Sequence, residues 1–326
     1  DRGLELVVEG DGRMFPKANC SSAVVTCLRQ AATKAGVILR TKVAVNRLDP
    51  IGEKGFIANC KDGPPFYANK VLLATGGHPS GRRLAISLGH EVVAPVPSLF
   101  TLALNAPWLA TCSGIALNGV RLNLFSGDQH FEQVGRVLLT HRGISGPAVL
   151  RLSAFAARAL HLDNYKAELS VNWVGITNSE PIQNVLRDFC YKYARRKVSA
   201  VSPFKQIPKR LWFALLEQVG LEPTLRWADL PSGLEHSLTK ALVVSSYQIC
   251  GRGPFGEEFV TAGGVVLGEV NLATMESRVC PGLYISGELL DVDGLTGGFN
   301  FQHCWSSGWL AGKAIANNLN SINKSD

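Results

Sequence analysis

The stretch GLYISGELLDVDGLTGGFNFQHCWSSGWLAGKAIA, Gly282 to Ala316, limits the possible folds more than any other part of the chain. Leu283 to Ser286 is a brief apolar run closed by Gly287, too short for a helix and expected as a buried strand. Carboxylates follow at Glu288, Asp291 and Asp293. Gly294, Gly297, Gly298 and Asn300 come next, and then an amphipathic segment expected as a helix over about 301–318. This order brings acids and bare backbone to a helix start, where amide groups are unpaired and the dipole is positive. Glycines there let a flat ligand lie against the main chain, or they merely make a tight turn.

A second strand of the same kind is VLLATGGHP. Its apolar run Val71 to Ala74 delivers Thr75, Gly76 and Gly77, again a bare backbone at the end of a buried strand. Upstream, Leu4 to Val8 is expected as a strand. NCSSAVVTCLRQAATKAG is expected as a capped helix ending at Gly36, and VILRTKVAV as a further strand. From Pro95 to about Val174, FTLALNA, GVRLNLFSG, HFEQVGRVLLT and YKAELSVNWV alternate as antiparallel strands do, interrupted by a helix over about 147–160. Residues 179 to about 240 read as helices, and strand texture then returns. The expected fold class is α/β: a nucleotide-binding, Rossmann-like domain from residues 1–95 and 255–326. Into it are inserted an antiparallel β-rich domain, 96–175 with 242–254, and a helical subdomain, 176–241.

GRGPFG, Gly251 to Gly256, matches the dinucleotide-loop pattern G-x-G-x-x-G. That loop must open a helix, whereas EEFVTAGGVV, a strand, follows here, and Pro254 lacks an amide to offer a phosphate. The segment is expected as a β-turn returning the chain from the inserted domain.

The formal net charge is +7. The basic residues are mostly dispersed, and the densest run, YKYARRKVSAVSPFKQIPKR, reads as the solvated face of two helices with few aromatics for base stacking. A nucleic-acid partner is therefore not expected, and a small-molecule substrate is. The eight cysteines form neither C-x-x-C nor zinc spacing, so no metal site is expected and the thiols are read as reduced. No apolar run reaches the ~18 residues of a membrane span. Together these imply a reducing compartment, the cytoplasm, or a plastid if the source is a plant or alga.

Two further stretches are candidates for chemistry. In VLLTHRGISGP, His141 and Arg142 precede a helix and suit binding or protonation of an anionic substrate. The same stretch also reads as a capping turn with Ser145 as the cap. In VTAGGVV, Thr261 stands before Gly263 and Gly264, a pair that alternatively makes a β-bulge. A flavin suits the 282–316 stretch: its carbonyls accept from helix-start amides and its sugar hydroxyls donate to carboxylates.

GELLDVDGLTGGFNFQHCWSSGWLAG, EFVTAGGVVLGEVNLATMESR, VLLTHRGISGPAVLRLSA and GRMFP together resemble the BaiN/RdsA-type NAD(P)/FAD-dependent oxidoreductases, over essentially the whole chain and in its cyanobacterial and plant branch. The resemblance implies a two-dinucleotide-binding-domain flavoprotein split by a β-rich insertion and a helical subdomain. It implies FAD contacts at Glu288 and Asp291 for the sugar and ribityl chain. Gly297, Gly298, Asn300, Phe301 and Gln302 would lie along the flavin ring and helix start, and Thr75 and Gly76 near the adenosine pyrophosphate. It also implies Val43 at the adenine, Arg13 and Pro16 near the ring, and Thr261, Gly263 and Gly264 beside the reactive face. The family's opening strand, glycine-rich turn and helix have no counterpart in this sequence, so the FAD-binding domain is expected to lack its first βαβ unit. The implied activity is hydride transfer through flavin N5, between NAD(P)H or an organic donor and an organic acceptor or oxygen. A non-catalytic remnant serving as an interaction module and an RNA-modifying flavoprotein are the other readings.

Overall fold

The computed structural model describes residues 2–10, 12–52, 55–253 and 260–322. At its centre six antiparallel strands close into a barrel: Gln129–Leu139, Gly143–Ser145, Leu102–Leu104, Ser245–Arg252, Ala167–Asn172 and Ala116–Ser126, in that order around the ring. Closure leaves no strand edge to protect, which suits strands whose inner residues are this apolar. Val120, Leu122 and Leu124 alternate inward along one strand and are buried, as is Leu117 earlier in it. The helices Ser179–Lys192, Lys209–Gln218 and Ser232–Val243 lay their apolar faces on the same core, with Ile182, Leu186, Leu211, Trp212 and Leu242 buried among the barrel residues. The barrel and the helical segment therefore share one hydrophobic cluster.

The second cluster belongs to a mixed sheet. Leu283–Ile285 runs parallel to Val71–Leu73, and two short strands, Glu276–Ser277 and Val270–Asn271, continue it antiparallel. Leu283, Tyr284 and Ile285 are all fully buried, as a short apolar strand covered on both faces must be. The helices Pro79–Ser87 and Gly297–Ile322 flank this sheet, the first capped by His78, whose Nδ1 accepts from the Ser80 amide. Val260–Val265 pairs antiparallel with Val92–Ser98.

Four local expectations change. The segment 37–44 is irregular, and its strand begins only at Val45, running to Pro50. Ile38 and Leu39 are exposed and Lys42 has φ +60°, and no described strand lies alongside to supply ladder hydrogen bonds. The helix expected over 147–160 is two, Pro147–Phe155 and Ala157–Leu162, broken at Ala156. Its cap is Gly146, at φ +99° and without a side-chain cap bond, since Ser145 is still the last residue of a barrel strand, its hydroxyl accepting from Thr101 Oγ1. Gly251 and Arg252 are the end of a barrel strand rather than a turn, and the Gly253 amide donates to Thr101 O; the rest of GRGPFG, 254–256, lies outside the described residues.

Candidate functional site

The ends of the two parallel strands bring the loops 74–78 and 286–300 together. Glu288 is the tie between them. Its Oε1 accepts from the Thr261 amide at 2.8 Å and its Oε2 from the Gly77 amide at 3.2 Å. One carboxylate thereby joins three segments that are far apart in sequence. Gly77 is glycine for a local reason: a Cβ there would lie 2.8 Å from Thr261 Oγ1 and 3.4 Å from the Glu288 carboxyl carbon. Thr75 turns away from the junction. Its Oγ1 is buried without a described partner, against Gly81 in the following helix. Gly76 takes φ +61° and sits near Glu288.

The other acids are spaced around the same loop. Asp291 is half-buried, with Oδ1 3.7 Å from Arg158 Nη2. Asp293 Oδ2 accepts from Ser98 Oγ at 2.9 Å, which anchors the loop to the strand Val92–Ser98. The helix start is held by Asn300, whose side chain donates to the carbonyls of Gly294 and Thr296 and accepts from the Gly294 amide, each at 2.9 Å. Asn300 is thus occupied with shaping the loop. Ahead of it Gly297 and Gly298 are exposed and open: a Cβ on Gly297 would meet nothing within 4 Å. Phe301 is exposed and packs beside Trp305, and Gln302 Nε2 donates to Ser306 Oγ. His303 lies beneath, its Nε2 3.3 Å from Gly287 O. Burial raises the pKa of the neighbouring Cys304 thiol, and the negative Glu288 adds to that.

Gly263 and Gly264 are buried at a β-bulge, the register slipping between Ala262 and Gly264. A Cβ on Gly263 would come 2.6 Å from Ala94 O, and one on Gly264 2.5 Å from Leu289 O. These glycines let the strand pack against backbone on either side, which is the bulge alternative of the sequence reading.

The remaining candidates are more dispersed. Arg13 pairs with Glu9, and Pro16 ends a two-stranded hairpin of Leu6–Val8 with Met14–Pro16. Val43 is part-exposed in the irregular segment. His141 and Arg142 are exposed in the turn between two barrel strands, Gln129–Leu139 and Gly143–Ser145. Among the described residues no group of three or more His, Cys, Asp or Glu is placed to hold a metal, and no helix is long and apolar enough to cross a membrane. All eight cysteines are free.

Sequence reasoning missed a second buried network. His90 Nδ1 lies 2.8 Å from Glu269 Oε2, and His90 Nε2 lies 2.8 Å from Ser277 Oγ. Ser277 Oγ also accepts from the amides of Val279 and Cys280, which ties the ring to the turn that follows. The partners are about 180 residues apart, and no local motif marks them.

A parallel strand pair whose ends deliver glycine loops, carboxylates and an open helix start defines a nucleotide-binding domain of Rossmann type. The profile described as the HI0933-like protein Rossmann domain matches residues 1–314, and the chain belongs to that family, the BaiN/RdsA-type flavoprotein oxidoreductases. The 3-dehydro-bile acid delta(4,6)-reductase of Clostridium scindens is 30% identical over 317 residues, covering 94% of this chain and 76% of that one. The ribosomal RNA dihydrouridine synthase of Escherichia coli is 31% identical over 274 residues, 81% of this chain and 64% of that one. The enzyme of the same name from Haemophilus influenzae is 28% identical over 315 residues, 90% and 72%.

Proposed function

We propose that the protein is an FAD-dependent oxidoreductase that passes a hydride from NAD(P)H or an organic donor to a small organic acceptor. The observation that carries this reading is the junction at Glu288, where a carboxylate locks two loops beside an open helix start. The donor set suits the cofactor. Gly297 and Gly298 present amides at the positive end of a 26-residue helix, suited to the flavin's pyrimidine carbonyls. Asp291, 32% exposed, has free lone pairs for sugar or ribityl hydroxyls. Phe301 offers a flat apolar ring on the open side.

The bound cofactor supplies two-electron hydride chemistry, and the protein supplies position and electrostatics. Glu288 fixes the Gly77 and Thr261 amides, and so sets the spacing of the two loops between which a ligand would lie. Asp293 and Ser98 hold the acidic loop to the strand behind it. His141 and Arg142, exposed at the barrel rim, are the proposed groups for orienting an anionic acceptor and delivering a proton to it. Both curated names above describe the gain of hydrogen by an unsaturated ring, which favours a conjugated C=C bond as the acceptor.

The visible spectrum tests the reading. Purified protein incubated with FAD and desalted is expected to keep bands near about 450 nm, as bound flavin does, and to bleach under NADH or NADPH without oxygen. A colourless protein after that treatment refutes FAD binding, and a yellow one inert to both nucleotides refutes the proposed donor.

A further inference from the structure

The barrel with its helices and the mixed sheet have separate hydrophobic clusters. A third cluster joins an element of each: Val96, Ala157 and Ala262, all buried. Val96 and Ala262 are direct partners in the ladder of Val92–Ser98 with Val260–Val265, and Ala157 opens the helix Ala157–Leu162 of the inserted unit. Two of the three are alanines, so helix and strands approach closely at this seam. The next residue, Arg158, crosses it. Its Nη1 donates to Ala94 O at 3.3 Å, and its Nη2 lies 3.7 Å from Asp291 Oδ1. Ala94 stands at the β-bulge, on the strand opposite Gly263. Asp291 follows Glu288 by three residues, and its own amide donates to Val265 O at 3.0 Å. The main chain of Asp291 is therefore fixed by the strand behind it, while its carboxylate faces a residue of the inserted unit. Among the described residues no other cation lies within ion-pair distance of Asp291.

Folding stability does not account for this contact. The two side chains are 49% and 32% exposed, and ion pairs so open to water contribute little. At 3.7 Å the contact is an ion pair rather than a hydrogen bond, so it orients the carboxylate without occupying its lone pairs. We propose that Arg158 is a positioning residue of the cofactor site: from across the seam it holds the Asp291 carboxylate turned towards the ligand's sugar or ribityl hydroxyls. The assignment rests on the flavin reading and adds the inserted unit to the groups that shape the site. Arginine suits the task, because its planar fork serves a backbone carbonyl and a carboxylate at once, whereas lysine offers only a point charge. Direct capture of the ligand's phosphates is the competing use of this cation. It fits less well, since the guanidinium already faces a carboxylate that repels an incoming anion.

The test is equilibrium titration of FAD into the full chain, followed by quenching of flavin fluorescence, with the melting temperature and hydrogen exchange of each FAD-free protein. Arg158→Ala should bind FAD about three- to fivefold more weakly, the effect of one half-exposed ion pair. Asp291→Ala should bind it about tenfold more weakly or worse, through lost hydrogen bonds to a charged acceptor. The double variant should bind no more weakly than Asp291→Ala alone, because Arg158 acts through that carboxylate. Arg158→Lys should return to within about twofold of wild type, keeping the charge but not the fork. Removing a cation elsewhere, Arg136→Ala, should leave the affinity unchanged, since only diffuse attraction is lost. FAD-free Arg158→Ala should melt within about 2 °C of wild type and keep the Asp291 amide protected, because that amide is bonded to Val265 O. Wild type that retains no FAD defeats the flavin reading and this assignment with it. Wild type that binds FAD, with equal affinity in Arg158→Ala, overturns the assignment alone. So does an additive loss in the double variant, which means direct contact with the ligand's phosphates. Faster exchange at the Asp291 amide in Arg158→Ala overturns it too, by making Arg158 a structural pin.

Discussion

Replacing Glu288 by Ala is the sharpest perturbation of the site's frame. Its carboxylate accepts two backbone amides, from Thr261 at 2.8 Å and Gly77 at 3.2 Å. A hydrogen bond to a charged group contributes about 1.5–3 kcal/mol, and an orphaned amide costs about as much. Because Glu288 is half-buried rather than sealed, solvent recovers part of this, and the net loss is about 2–4 kcal/mol. Unfolding entropy near ~2.1 cal/mol/K per residue puts the fall in melting temperature at roughly 3–6 °C for a chain of this length. Glu288→Gln should lose about half as much, since the amide keeps one acceptor oxygen and turns its NH2 towards the other donor. Differential scanning calorimetry without added nucleotide reads this directly. FAD titration of each variant should then show weaker retention in the same order, Ala below Gln below wild type. An Ala variant that melts within about 1 °C of wild type would refute the claim that this carboxylate holds the two loops together.

Three further outcomes follow from the geometry. Gly264→Ala would put a Cβ 2.5 Å from Leu289 O and 2.6 Å from the Leu290 carbonyl carbon, at φ +151°; a loss of about 3 kcal/mol or more is expected in urea unfolding. His90→Ala removes the shared partner of Glu269 and Ser277 from a buried position and should cost about 2–4 kcal/mol by the same measurement, with Ser277→Ala costing about half of that. Tyr247 lies inside the barrel, where burial pushes its pKa up to about 12 against the pull of Ser245 and Trp173, and its hydroxyl makes no directed bond to a described residue. Its folded pKa exceeds the unfolded value of 10.0, so its contribution is intact below pH 10 and is lost as pH rises towards about 12, at most about 3 kcal/mol. Tyr247→Phe should flatten that alkaline decline in urea-unfolding free energy and be neutral or stabilising at pH 7.

Much of this was legible from local pattern. The run Leu283 to Ser286 into Gly287, and Val71 to Ala74 into Thr75-Gly76-Gly77, proved to be adjacent parallel strands, because a short apolar run ending in glycine has few other places in an α/β fold. The barrel strands were visible through their alternation, but not their closure, since which strands meet depends on pairings such as Leu102–Leu104 with Ser245–Arg252 across more than a hundred residues. The misplaced strand at 37–45 shows the limit of β-propensity: branched residues favour a strand only where another strand lies alongside. Glu288 was singled out for its position in a motif, but its bonds to Gly77 and Thr261 lie 211 and 27 residues away and have no sequence signal. Asn300 was read as a ligand contact, whereas its side chain is turned onto its own loop, an ordinary use of asparagine that motif reading does not anticipate.

The central claim is that the open helix start at Gly297 and Gly298, framed by Glu288, receives the flavin. Equilibrium titration of FAD into wild type and into Gly298→Val, followed by quenching of flavin fluorescence, tests it most directly. A Cβ on Gly298 would meet only Thr296 Oγ1, at 3.8 Å, so the variant should fold and melt near wild type while binding FAD at least about tenfold more weakly. Equal FAD affinity in the two proteins, both folded, would contradict the account.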